Sequence, residues 1–215
     1  DARGDLDYEA VRRRQAAARE EGRLLGVGGA CVGDPSTSNM GYVSVALPPE
    51  EREAGNPKSG AVSAVTMRVA ADASVVLELD SAPSGQGHET TAAQIVADEL
   101  GVAPEEVTVV SGMDTVEQAW SISSGSYSSR FGTVGHSAVK AVSETIGDQL
   151  CRIAAGILDD PPSAIAVADG EAHGPSGSVS LRRLAGTAHW NPSALPAGVD
   201  PGLHEVHTYS LADAD

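Results

Sequence analysis

Apolar residues recur along this chain at two different periods. From His88 to Leu100 the positions Ala92, Ile95, Val96 and Leu100 follow helical spacing, and Gly101 supplies a stop. A longer stripe, Ala138, Val142, Ile146, Leu150, Ile153 and Ile157, advances by steps of four or three. It predicts a helix over about 134–158, ended by Pro161 and Pro162. Asp7 to Glu21 predicts a charged helix carrying Arg12, Arg13, Arg14, Arg19 and Glu20. Strands are expected at Leu24–Val32, Tyr42–Leu47, Ala61–Val69, Ser74–Leu79 and Val107–Val110, with Pro48–Gly60 a turn-rich charged insert. Beyond the long helix come two short strands near Ile165 and Val179, a short helix near Leu181 and a Pro-rich, weakly patterned tail.

The centre therefore reads strand, Gly-rich loop, helix, then strand, Ser/Gly-rich loop, helix. Each loop delivers backbone to a helix N-terminus. Composition narrows the picture further. With 215 residues the chain fits one domain or two small lobes, and with 41% hydrophobic but only 3% aromatic residues its core must be aliphatic. The formal net charge of −16 argues against nucleic acid and anionic membranes as partners. It leaves room for a local anion site built from backbone N–H groups. Cys31 and Cys151 form no CxxC and no iron–sulfur or zinc pattern, which suits a reducing, cytoplasmic location. No apolar run reaches the ~18 residues that a membrane span needs. The chain opens on Asp1 with no signal-peptide pattern, and is expected to be trimmed or cut from something longer.

Two constellations carry candidate chemistry. Gly85-Gln86-Gly87-His88-Glu89-Thr90-Thr91 heads a predicted helix. Its glycines admit close approach, its helix start offers unpaired amides, and Gln86, Thr90 and Thr91 add neutral donors. That suits a phosphate or pyrophosphate, although spacing alone fits a Gly turn with an ordinary Thr cap better. Gly125-Ser126-Tyr127-Ser128-Ser129-Arg130-Phe131-Gly132 precedes the long helix and offers hydroxyls and a guanidinium to an anion or polar heterocycle. A flexible surface loop fits it equally well, though 111–132 is long for a structureless loop in a compact domain and holds Trp120, Ile122, Tyr127 and Phe131. The remaining candidates are weaker. His136, His173, His189, His204 and His207 lack metal-ligand spacing apart from the last two, which read as surface residues. Asp159 and Asp160 read as a helix terminus, the cysteines as small hydrophobes, and no GxSxG elbow occurs.

The run GQGHETTAAQIVADELGVAP, Gly85 to Pro104, resembles the segment GQGxxTxxxQIxAxxLGxxP of molybdenum hydroxylase large subunits, the xanthine dehydrogenase, aldehyde oxidoreductase and aerobic carbon monoxide dehydrogenase family. VTVVSGMDT, with Asp114 and Thr115, resembles the family's next strand. SSRFGTVGHSAVKAV resembles its Ser-Arg segment and following helix, and LDYEAVRRRQAAAREEGRLLGVGGA the approach to the module. The similarity runs from about Leu6 to Leu184. It implies a molybdopterin-binding segment, with the cofactor usually the cytosine dinucleotide in bacteria. By the same resemblance Gln86, Gly87, His88, Thr90 and Thr91 are expected at the cofactor, joined by Tyr127, Ser128, Ser129 and Arg130. In the family the metal hydroxylates a carbon next to a heteroatom with water-derived oxygen. Electrons leave through iron–sulfur clusters and often FAD on other domains or subunits.

Some family features are missing. There is no Gly-Phe-Gly-rich loop upstream, no Gly-Glu motif carrying the catalytic Glu, and no cysteine set for clusters. The resemblance thus implies that no catalytic or directly metal-ligating residue stands in this chain. Another large-subunit chain is expected to complete the active site, with iron–sulfur and flavin subunits as further partners. The expected fold is α+β, mixed sheets with two main helices forming a lobe of the cofactor domain. Residues 1–215 are expected as one segment with its core at about 6–184 and a tail at 185–215. Two other functions compete: a metal-free homologue serving as scaffold or non-redox enzyme, and a generic nucleotide- or partner-binding module.

Overall fold

The computed structural model describes residues 7–31, 48–54, 62–112, 121, 126 and 129–210. The chain divides into two units, residues 1–34 and 35–215. In the first, helix α1 (Tyr8–Glu20) is capped by Asp7, whose carboxylate accepts the Ala10 N–H at 2.9 Å. Only Ala18 of α1 is buried, as its charged composition requires. Residues 23–31 form no strand, contrary to the expectation for Leu24–Val32, and Leu24 is 91% exposed. A strand persists only through a ladder to a neighbour. The described residues of this unit hold no other strand, and Gly26, Gly28 and Gly29 bring no side chains to pack. Val32 and the expected strand Tyr42–Leu47 lie outside the described residues.

In the second unit a six-residue helix, α2 (Pro49–Ala54), stands where a turn-rich insert was expected. Proline opens it, and Glu50 and Glu51 occupy the first turn, where the helix dipole favours acids. Strands β1 (Val62–Val69) and β2 (Val75–Leu79) pair antiparallel, Val65 opposite Leu79. Helix α3 (His88–Leu100) then returns the chain so that β3 (Val107–Ser111) runs parallel to β2, a pairing that needs such a crossover. The long helix α4 (His136–Leu158) follows. Next come three short antiparallel strands, β4 (Ala166–Ala168), β5 (Glu171–Gly174) and β6 (Gly177–Ser180), then helix α5 (Leu181–Trp190). Finally β7 (Leu203–Ser210) pairs antiparallel with β1, so the main sheet is ordered β3-β2-β1-β7. The α+β class and the two main helices are as the sequence predicted.

The core lies between this sheet and helices α3 and α4. Val65, Met67, Leu77 and Leu79 meet Ala92, Val96, Leu100, Val142, Ile146 and Leu150, all essentially inaccessible to water. Burial of such apolar surface is the main drive for folding. Gly101 joins the two sheets. It sits at φ +62 as the cap of α3, its carbonyl accepts the Gly170 N–H at 2.7 Å, and a β-carbon there would lie 2.6 Å from Ala168 Cα. No other residue fits that position.

Two strands escaped the sequence reading. β5 is positioned by the Asp169-Gly170 turn, with both residues at positive φ (52° and 74°), the signature of a two-residue hairpin turn. β7 falls in the tail read as weakly patterned. Its inward register positions include Glu205 and His207, while Val206 points outward and is 63% exposed. The polar pattern is therefore reversed. Glu205 is accommodated by a hydrogen bond from the Gln149 side-chain amide. His204 and His207, three apart, fall on opposite faces of this strand.

Candidate functional site

The first predicted loop leaves the C-terminal end of β2 and enters α3. Asp80 and Ser81 follow β2 and are fully buried. Gly85 and Gly87 then take φ values of +100 and +79, which L side chains rarely adopt. Gly87 is the N-cap of α3 and provides no side-chain cap. The amides of His88, Glu89 and Thr90 thus begin the helix without an intrahelical carbonyl. Gln86 folds over its own loop, its Oε1 accepting the Ser84 N–H at 2.6 Å. That bond fixes the amide orientation and leaves the –NH2 end for a ligand. Glu89 would set a negative charge beside the helix start, but Ser111 donates to its carboxylate at 2.6 Å and draws it aside toward β3. This hydrogen bond also lowers the Glu89 pKa, ahead of a backbone bond and the Coulomb effect of His88.

The second loop reaches α4 through a π-helical turn, Phe131–Gly135. Such single turns of wider pitch occur often at functional sites. Gly135 allows it to close: a β-carbon there would lie 2.2 Å from the Phe131 ring. Ser129 enters the turn at φ +56. Arg130 points inward and is 1% exposed. Its guanidinium donates to the Val62 carbonyl and lies 3.5 Å from Asp80, which also accepts from the Ser63 hydroxyl at 2.7 Å and the Ala64 N–H at 2.9 Å. The cation thus ties the second loop to the β1–β2 sheet.

The two loops meet. The His88 ring stacks on Phe131 with centroids 4.0 Å apart and planes 20° apart, and Phe131 meets His136 edge-on at 5.0 Å. The Thr91 hydroxyl lies 3.0 Å from His136 Nε2 and 3.2 Å from the Gly87 and His88 carbonyls. Ser81 Oγ lies 3.1 Å from His88 Nδ1. In front of this cluster opens a cavity of about 460 Å³, lined by Ser84, Gln86, His88, Thr91, Ser126, Ser129, Phe131, Gly132 and His136. Among the described residues its lining contains no carboxylate, lysine or arginine. Burial lowers the pKa of His88, assisted by His136 and Arg130 and opposed by Glu89. Burial likewise lowers that of His136, opposed by a hydrogen bond to the Gly132 backbone. Among the described residues, the cavity is therefore walled near neutral pH by uncharged groups.

The depressed histidines make stability depend on pH. An unfolded chain takes up protons near the ordinary value of 6.5, while the folded chain holds both rings neutral to lower pH. Stability is therefore expected to be flat above that value and to fall as pH drops below it, by about 1.4 kcal/mol for each unit of depression. Urea midpoints measured from pH 8 to 5 check this, and His136→Gln should flatten part of the slope.

Of the sequence-predicted residues, Gln86, His88, Thr91 and Ser129 line this one cavity, with Gly87 capping the helix behind it. Thr90 is exposed and lines a neighbouring groove with Glu89, Ala93 and Gln94. Arg130 faces Asp80. Tyr127 and Ser128 lie outside the described residues. Sequence reasoning assigned Phe131 no binding part and weighed His136 only as a metal ligand. A signal existed in the paired Gly132 and Gly135 around a buried aromatic, but only the π turn brings residues five apart together. Among the described residues no group of histidines, cysteines or carboxylates could hold a metal ion, and no helix is long and apolar enough to cross a membrane.

The whole chain, residues 1–215, matches the family described as the molybdopterin cofactor-binding domain. Nicotine 6-hydroxylase large subunit of Paenarthrobacter nicotinovorans is 29% identical over 201 residues, 92% of this chain and 23% of that protein. Carbon monoxide dehydrogenase large chain of Hydrogenophaga pseudoflava is 29% identical over 210 residues, 95% of this chain and 24% of that protein. The crystal structure of quinoline 2-oxidoreductase from Pseudomonas putida 86 superposes with a TM-score of 0.77 at 26% identity, over 97% of this chain and 25% of that one. The chain spans about a quarter of the length of these relatives. It belongs to the molybdopterin cofactor-binding domain family and is homologous to the large subunits of xanthine-oxidase-family molybdenum hydroxylases.

Proposed function

We propose that this chain holds molybdopterin, as its cytosine dinucleotide, within a split or larger subunit of a molybdenum-dependent hydroxylase. The observation that carries this reading is the convergence of both loops on one uncharged cavity beside an uncapped helix start. The residues present fit such a group. Orphan amides at the start of α3, with about half a positive charge from the helix dipole, suit a pyrophosphate. The Gln86 –NH2 group, the hydroxyls of Thr91 and Ser129 and the polar edge of His88 suit a heterocycle rich in donors and acceptors. Binding through backbone and neutral groups needs no lysine, in keeping with a chain of net charge −16.

In this reading Gln86, Gly87, His88, Thr91 and Ser129 contact the cofactor, with Tyr127 and Ser128 as further contacts. Thr90 contributes through its amide at the helix start. Arg130 acts by fixing its loop to Asp80. The bound cofactor supplies hydroxylation of a carbon next to a heteroatom, with water as the oxygen source. This chain's part is to orient it and to keep carboxylates away from it, as the Ser111–Glu89 bond does. The general base, a Glu, lies outside these 215 residues, and iron–sulfur clusters and FAD belong to partner domains or subunits in the cytoplasm. The substrate class is an aldehyde or an N-heterocycle, the latter in line with the nicotine and quinoline named for two relatives. Gln86→Ala is expected to lower the pterin retained per chain about tenfold, the effect of losing one or two neutral hydrogen bonds in a buried contact. Pterin fluorescence after gel filtration checks it. Unchanged retention would remove Gln86 from the site.

A further inference from the structure

One side chain belongs to neither loop and yet touches both. His136, the first residue of α4, meets Thr91 on α3 through Nε2 and the Phe131 ring through its edge. Phe131 in turn stacks on His88, which is one turn before Thr91 on α3. The four side chains close a ring: His88, Phe131, His136, Thr91 and back along the helix. Within it the His88 imidazole has little freedom. Its face lies on Phe131 and its Nδ1 meets the buried Ser81 hydroxyl, so Nε2 is the ring nitrogen left for a ligand. The Thr91 hydroxyl also lies within reach of the Gly87 and His88 carbonyls, at the backbone turn that presents the orphan amides.

We propose that His136 is a positioning residue that latches the two loops together, fixing His88 and the start of α3 for a ligand that contacts both. This rests on the reading of the cavity as a cofactor site. His136 itself lines the cavity, but its latching contacts are with Thr91 and Phe131. It acts through Thr91 on one side and Phe131 on the other, and its coupling to His88 is what separates it from direct binding.

The test uses the natively purified protein with its partners and follows the loss of molybdenum and pterin per chain during prolonged dialysis. His136→Ala removes both anchors and is expected to release cofactor about tenfold faster than wild type, a change typical of losing a partly buried hydrogen bond and a ring contact. Thr91→Val, which keeps shape but not the hydroxyl, should do the same. His136→Gln and Thr91→Ser, which keep the hydrogen bond, should restore most of the retention. Because the latch acts through His88, His136→Ala should add less than about twofold in a His88→Ala background, the non-additivity expected of coupled residues. Wild-type release from His136→Ala, no rescue by the conservative variants, or independent multiplication of the two effects would overturn the latch. If wild-type protein carries no molybdenum and no pterin, the cofactor reading fails instead. The latch is then read from urea midpoints: less-than-additive shifts for His136→Ala with Thr91→Val support it, and additive shifts overturn it.

Discussion

Asp80→Ala is expected to destabilise the chain by about 3–5 kcal/mol, the usual cost of removing one partner from a buried ion pair. Asp80 is fully buried, pairs with the Arg130 guanidinium at 3.5 Å and accepts hydrogen bonds from the Ser63 hydroxyl and the Ala64 N–H. Losing the carboxylate leaves a guanidinium in the interior with its counter-charge gone, and strands two neutral donors at about 1–3 kcal/mol each if no water replaces it. Asp80→Asn should cost less, because one amide oxygen still accepts from the β1 side. The consequence reaches beyond stability. Arg130 is the residue immediately before the π turn, so loosening it frees the turn that carries Phe131 to His88. Urea denaturation gives the stability change, and pterin content of whatever folds gives the effect on the site. A loss under about 1 kcal/mol would mean that the pair is solvated and does not brace the loop.

Gly135→Ala is the second large effect. The new methyl would stand 2.2 Å from the Phe131 ring, well inside contact distance, and Phe131 is 1% exposed with His88 stacked on its face. The ring has to move or the π turn has to rewind, at about 1–3 kcal/mol for overpacking of this kind. Either response shifts His88 at the wall of the cavity, so cofactor retention should fall along with stability. Phe131→Leu in the same chain relieves the clash and should recover part of the stability, while the stacking on His88 stays lost and retention stays low. Melting temperatures and pterin content of the single and double variants separate the two contributions. Equal recovery of both would show that the aromatic stack has no part in holding the ligand.

Several parts of this structure could be read in the sequence because they rest on local periodicity. The α4 stripe Ala138, Val142, Ile146, Leu150 and Ile153 is buried throughout, with Ser143 on the same face bonded back to the Val139 carbonyl, so the helix and its buried face follow directly. The same holds for Ala92, Val96 and Leu100 of α3 and for the glycine that ends it. What could not be read depends on distant partners. β7 hides because Glu205 and His207 face inward, and a polar inward residue becomes legible only once Gln149 is known to meet it. Leu24–Val32 reads as a strand from its apolar run, but residues 23–31 form none, because a run of side chains does not supply a ladder. Arg130 reads as an anion donor until Asp80 is placed beside it. The resemblance in GQGHETTAAQIVADELGVAP singled out the first loop, and the second loop meets it through Phe131 and His136, whose pairing needs the wider π turn.

The central claim is that the uncharged cavity between Gln86, His88, Thr91 and Ser129 is a cofactor site. The most direct measurement is molybdenum and pterin analysis of the protein purified natively with its partner chains, the chains being counted by mass. The account predicts molybdenum and pterin cytosine dinucleotide in equal amounts, close to one per chain, on a protein accompanied by a larger partner. A protein isolated with its partners intact, yet free of both molybdenum and pterin, would contradict it.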